Sequence, residues 1–194
     1  GFSRQPSKGR DVEASLALSL EEAFNGGKKT ITLQGMGQSA RSFEVNIPAG
    51  VKSGARIRLS GQGDASPAGG KAGDMYLKIS ILPHRQFTLD DDDVVYDLRL
   101  APWEAALGTK AVVPTLSGNV ELNIKPGTGS GKKLRLRGKG LGSGNQKGDL
   151  LVRVAISVPE ADSPEVKELW EKLAQATGFN ARAEAAGHPQ EDKE

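Results

Sequence analysis

Asp11-Val12-Glu13-Ala14-Ser15-Leu16-Ala17-Leu18-Ser19-Leu20-Glu21-Glu22-Ala23-Phe24-Asn25-Gly26 returns, with altered side chains, as Asp93-Val94-Val95-Tyr96-Asp97-Leu98-Arg99-Leu100-Ala101-Pro102-Trp103-Glu104-Ala105-Ala106-Leu107-Gly108. Each stretch opens on Asp-Val, reaches Leu-x-Leu and closes on Glu-Ala-x-x-Gly. The echo continues downstream. Ile47-Pro48-Ala49-Gly50-Val51-Lys52-Ser53-Gly54 is matched by Ile124-Lys125-Pro126-Gly127-Thr128-Gly129-Ser130-Gly131. Ile57-x-Leu59-x-Gly61-x-Gly63 is matched by Leu134-x-Leu136-x-Gly138-x-Gly140, and Gly73-Asp74 by Gly148-Asp149. An internal duplication fixes the architecture before any local propensity is weighed. Two copies mean tandem domains, not a solenoid.

Within the first copy, Val12, Ala14, Leu16 and Leu18 alternate with Glu13, Ser15 and Ala17, the period of a strand. Ser19 followed by Glu22 has the spacing of a capping box and starts one helical turn, which Asn25-Gly26-Gly27 ends. Lys29–Leu33, Ser42–Ile47, Arg56–Ser60 and Met75–Leu82 read as further strands, the last closed by Pro83. The second copy repeats the order, with Pro102 suited to the first turn of its short helix and Leu150–Val158 as its last strand. The C-terminal stretch differs: Ser163-Pro164 precedes Val166, Leu169, Trp170 and Leu173 at helical spacing, and Gly178 ends the run. The predicted fold is therefore mostly β: two tandem small β-sandwich domains with short helices, plus a C-terminal amphipathic helix. The expected boundaries are a linker at 1–10, a first domain at 11–89, a second at 90–160, the helix region at 161–179 and a polar tail at 180–194.

Composition removes several classes of function. The chain has 194 residues and no cysteine, so it offers no disulfide, thiolate metal site or cysteine nucleophile. No apolar run is long enough to span a bilayer and no secretory signal is visible. A first residue of Gly in place of Met points to a longer parent protein. The phosphate-loop likeness of Gly127–Lys133 fails, because Pro126 stands where the first glycine belongs and Lys133 where Ser or Thr is required. His84 and His188 are the only histidines, too far apart in sequence to nominate a metal pair. Asp90–Asp93 lacks the spaced ligands of a calcium loop and reads as a solvated acidic connector. No nucleophile elbow occurs. The expectation is a non-enzyme without metal or cofactor.

Three groups of residues invite a functional reading. Lys133, Arg135 and Arg137 alternate with Leu134 and Leu136, which gives one strand a basic outward stripe. Such a stripe either contacts phosphates or keeps a strand soluble. Ala14, Leu16, Ile31 and Leu33, with Lys29 beside them, have the pattern of ordinary sandwich core. The stripe Val166, Leu169, Trp170 and Leu173 must be buried against its own domain or against another chain.

The assembled residues resemble the C-terminal half of the DnaJ family, the J-domain co-chaperones. The motifs are Ser19-Leu20-Glu21-Glu22-Ala23, Ile47-Pro48-Ala49-Gly50-Val51, His84-x-x-Phe87, Val113-Pro114-Thr115-Leu116, Arg137-Gly138-Lys139-Gly140 and Gly148-Asp149-Leu150-Leu151. Pro102–Lys110 is particularly similar to the CbpA branch, the curved-DNA-binding co-chaperones of bacteria. The His-Pro-Asp signature of the J-domain is absent, and Gly35-Met36-Gly37-Gln38-Ser39 stands where other members carry a cysteine-rich zinc module.

The resemblance implies a chaperone of stress response and protein folding that binds unfolded polypeptide by β-augmentation. It implies a client pocket at Ala14, Leu16, Lys29, Ile31, Leu33 and Phe87, reversing the core reading of those positions. It further implies homodimerisation through Val166, Leu169, Trp170 and Leu173, and delivery of clients to DnaK by the J-domain of the intact protein. DNA binding through Lys133, Arg135 and Arg137 and a bacterial cytoplasmic, nucleoid-associated location complete the expectation.

Overall fold

The alternating and capped segments form two similar runs of elements. The first is β1 (Val12–Leu18), α1 (Leu20–Asn25), β2 (Gly27–Leu33), β3 (Arg41–Ile47), β4 (Arg56–Leu59) and β5 (Met75–Ile81). A short strand, β6 (Phe87–Asp90), leads to the second: β7 (Asp93–Leu100), α2 (Pro102–Leu107), β8 (Thr109–Thr115), β9 (Gly118–Ile124), β10 (Lys133–Leu136) and β11 (Leu150–Ile156). The helix α3 (Pro164–Thr177) follows. This computed structural model describes residues 8–33, 41–67 and 69–182. The Gly35–Ser39 bridge lies outside the described residues.

Each run makes the same two sheets. β1 pairs in parallel with β5, from Val12↔Met75 to Leu18↔Ile81, and β4 pairs antiparallel on the other side of β5. β7, β11 and β10 repeat this, from Val94↔Leu150 to Leu100↔Ile156. The second sheet of each run is a two-stranded antiparallel ribbon, β2–β3 or β8–β9. Apolar side chains from both sheets enter the core, among them Leu16, Leu77 and Ile79 with Ile31 and Val45 in the first run, and Leu98 and Val152 with Val113 in the second. The mostly β, sandwich-like class read from the sequence is the class found.

Local chemistry explains the elements. The Ser19 Oγ accepts from the Glu22 N–H at 3.1 Å, while Glu22 Oε2 accepts from the Ser19 N–H at 2.9 Å, so both arms of the capping box are present. In α2, Ala101 has no side-chain oxygen and only the returning arm survives, Glu104 Oε2 accepting from the Ala101 N–H at 2.8 Å. Gly26, at φ +64°, closes α1 where an added Cβ would lie 2.5 Å from the Ala49 nitrogen.

Phe87–Asp90, to which the sequence reading gave no element, is a strand: it pairs with β7, giving a four-stranded sheet of order β10-β11-β7-β6. The four aspartates form the hairpin end between β6 and β7, with Asp90 and Asp91 exposed. Asp91 takes the turn at φ +50°, and the Asp93 carboxylate accepts from the Asp149 N–H at 2.7 Å. Residues 1–157 and 158–194 form two compact units, with both repeats in the first. Among the described residues, no helix is long and apolar enough to cross a membrane.

Candidate functional site

The pairing of β1 leaves one of its sides open. The Val12 N–H donates to the Asp74 carbonyl at 2.9 Å, and the Leu18 carbonyl accepts from the Leu82 N–H at 2.8 Å. Successive residues of a strand direct their backbone groups to opposite sides. Val12, Ala14, Leu16 and Leu18 therefore face β5, whereas the N–H and C=O groups of Glu13, Ser15 and Ala17 face away from it. Among the described residues, no strand pairs on that side, and β2 likewise has β3 as its one strand neighbour. In the second repeat, β7 is partly covered by β6, through Asp93↔Asp90 to Tyr96↔Phe87.

The residues expected to line a client pocket fall on β1, β2 and β6. Leu16 and Ile31 are 8% and 6% exposed and belong to the core. Ala14 is half-buried. Lys29 is held by Glu22 of α1, Nζ to Oε1 at 2.7 Å, and this ammonium is the first cause keeping the Glu22 carboxyl below its ordinary range. Leu33 stands opposite Arg41 on β3.

Phe87 is on β6 and buried. Its ring stacks on His84 with centroids 5.0 Å apart and meets Tyr96 at 5.9 Å. It lines a cleft of about 470 Å³ with Leu20, Ile81, Leu82, His84 and Leu89. The positions on β1, on β2 and at Phe87 thus come from three separate strands.

The junction around Phe87 holds residues to which the sequence reading gave no role. Nδ1 of His84 accepts from the N–H groups of Gln86 and Phe87, at 3.1 and 3.2 Å, while Nε2 meets Glu21 Oε1 at 3.0 Å. Glu21 is held below the ordinary glutamate range first by its own backbone N–H, then by the Ser19 hydroxyl and by His84. The available signal was a histidine three residues before an aromatic, directly after a proline that ends a strand.

A family model described as "DnaJ C terminal domain" matches residues 12–159. This chain belongs to the DnaJ C-terminal domain family. It is 41% identical over 198 residues to the curved DNA-binding protein of Pseudomonas syringae pv. tomato, covering 96% of this chain and 63% of that protein. It is 42% identical over 189 residues to the curved DNA-binding protein of Coxiella burnetii (strain Dugway 5J108-111), covering 93% and 60%. The chain thus spans about three fifths of the length of these relatives.

Two further groups singled out in the sequence lie outside these strands. Lys133 and Arg135 on β10 and Arg137 just beyond it are exposed, as the alternation predicts. Arg135 is bonded through Nε to Asp149, whereas Lys133 and Arg137 have no carboxylate within 4 Å among the described residues. In α3, Leu169 and Leu173 are exposed, Val166 and Trp170 are half-buried, and no residue is fully buried. Ser163 caps that helix, its Oγ accepting from the Val166 N–H at 3.2 Å.

Proposed function

We propose that this chain captures extended, non-native polypeptide along the open edges of β1 and β2. It does so as a non-enzymatic, cofactor-free binding module built of two sandwich domains, 11–89 and 90–160. The observation that carries the reading is that, among the described residues, no strand pairs with the outer side of β1 at Glu13, Ser15 and Ala17. An extended segment that pairs there gains main-chain hydrogen bonds whatever its sequence, and apolar positions beside it favour Leu-like side chains. Ala14, Leu16, Lys29, Ile31, Leu33 and Phe87 are the proposed surroundings of that segment.

In the intact protein, captured segments pass to DnaK through a J-domain, in the bacterial cytoplasm. The region 161–179 joins two copies through Val166, Leu169, Trp170 and Leu173. A dimer holds two grooves on one client, which raises avidity without a new contact.

The test is binding of a fluorescent Leu-rich peptide, with suppression of client aggregation beside it. Ala17→Pro deletes an outward N–H from an edge strand, where proline is tolerated. It is expected to weaken peptide binding about tenfold while the circular dichroism stays native, in line with the loss of one or two hydrogen bonds. A peptide N-methylated on alternate residues should bind the wild-type chain equally poorly. Full affinity for the methylated peptide would reject strand addition.

A second reading, DNA binding on the second repeat, is favoured by the exposed Lys133 and Arg137, which make no ion pair within 4 Å among the described residues, and by the name that the relatives carry. Arg135 is the third proposed contact. The two activities use different strands and are compatible.

A further inference from the structure

Phe87 and the proposed groove strands are carried by different sheets. Phe87 opens β6, which pairs with β7 of the second repeat, while β1 and β2 belong to the first. The chain between β5 and β6, Leu82–Gln86, has no regular structure to fix its length or direction. A side chain that contributes to a groove on one sheet while riding on another needs a device that holds it in place.

His84 has the geometry of such a device. Its Nδ1 accepts two backbone N–H groups, those of Gln86 and Phe87, so that nitrogen carries no proton and the ring hydrogen sits on Nε2. Nε2 then donates to Glu21 on α1, in the first repeat. The ring stacks on Phe87 at an interplanar angle of 25°. One imidazole thus ties the first repeat's helix, the backbone entering β6 and the Phe87 ring. A planar ring with an acceptor on one edge and a donor on the other suits the task, and an alanine would sever all three connections.

We propose that His84 is the positioning residue for client side-chain selection: it fixes Phe87, carried by the second sheet, relative to the first repeat. The proposal rests on the reading of the β1–β2 edges as the client site. It separates two parts of client binding, with the strand edges holding backbone and the His84–Phe87 pair discriminating side chains.

The experiment measures the affinity of the 194-residue chain for two fluorescent peptides, one Leu-rich and one with every Leu replaced by Ala. The wild-type chain is expected to prefer the Leu peptide. His84→Ala should weaken the Leu peptide about tenfold, as loss of the Nδ1 acceptor for two backbone N–H groups implies, and leave the Ala peptide unchanged. His84→Asn should recover much of the preference, because an Asn carbonyl accepts from the N–H two residues on. Equal weakening of both peptides, or no recovery with Asn, would reduce His84 to a stability role and overturn the proposal. So would an unchanged Leu preference in folded His84→Ala. If His84→Ala fails to fold, Glu21→Ala at an exposed position releases Nε2 alone and should narrow the preference in the same direction; an unchanged preference there also overturns it. A wild-type chain that binds neither peptide rejects the groove itself, an outcome distinct from the rest.

Discussion

Asp74 and Asp149 hold the start of each repeat to its end. The Asp74 carboxylate accepts from the Gly61 N–H at 2.8 Å, from Arg58 Nη2 at 2.6 Å and from Lys8 Nζ at 3.0 Å, and Asp11 accepts from the Asp74 N–H at 2.7 Å. Asp149 repeats the pattern with the Gly138 N–H at 2.7 Å and Arg135, and Asp93 takes the place of Asp11. The preceding glycines permit the approach: a Cβ on Gly73 would lie 1.9 Å from the Arg10 carbonyl oxygen, and one on Gly148 2.1 Å from that of Asp92. Both carboxyls are held below the ordinary aspartate range, first by the backbone N–H of Gly61 or Gly138 and then by Lys8 or Arg135 respectively. A carboxyl depressed in the folded state is protonated more readily in the unfolded chain. Its stabilisation is complete above the unfolded value near 4 and is lost as pH falls toward the folded value. Urea midpoints should therefore fall on acidification below roughly pH 5. Asp74→Asn should lower the midpoint at neutral pH and flatten that acid dependence; a parallel profile for the variant would contradict the assignment. Gly-Asp was visible in the sequence as a repeated pair, but its meaning was not, because its partners lie up to 66 residues away.

The short helices and α3 show how far local sequence reaches. Ser19, Glu22, Ser163, Pro164 and Gly178 occupy the capping positions that their spacing predicts, and Gly178 is left-handed at φ +58°. Capping chemistry acts within one turn, so the sequence contains all of it. β6 escaped for the converse reason: four residues have no distinctive period, and only the neighbouring β7 makes them a strand. α3 is 14 residues long and no residue in it is buried. A helix of that length is marginal in water without a packed face, which supports the proposal that its stripe meets a second copy. On that proposal the wild-type chain is expected to sediment as a dimer, and Leu169→Asp with Leu173→Asp as a monomer with a weaker helical signal. Equal masses for the two would remove the dimerisation role from this stripe.

The joining of the repeats within residues 1–157 depends on contacts that no segment announces. Gly50 of the first repeat approaches Gly142 of the second so closely that a Cβ would lie 2.1 Å from the Gly142 carbonyl oxygen. Lys147 places its ammonium 4.9 Å from the centre of the Phe24 ring, and Lys52 pairs with Asp92. Charge also acts at this scale. The formal net charge is only +2, so affinity for DNA would come from a local stripe and not from the bulk. With duplex DNA, Lys133→Ala together with Arg137→Ala is expected to make the slope of log affinity against log salt shallower by about two. A slope near zero for the wild-type chain would end that reading. The duplication, the strand alternation, the caps and the family are legible in the sequence, since each is written in residues a few positions apart. Only the folded chain shows that β1 lies parallel to β5, that Leu16 and Ile31 sink into the core, that no strand among the described residues pairs with the outer side of β1 and that His84 grips both Glu21 and the Phe87 backbone. Those outcomes depend on pairings across tens of residues, where the chain's return path and the competition for buried volume, not local propensity, select the neighbour.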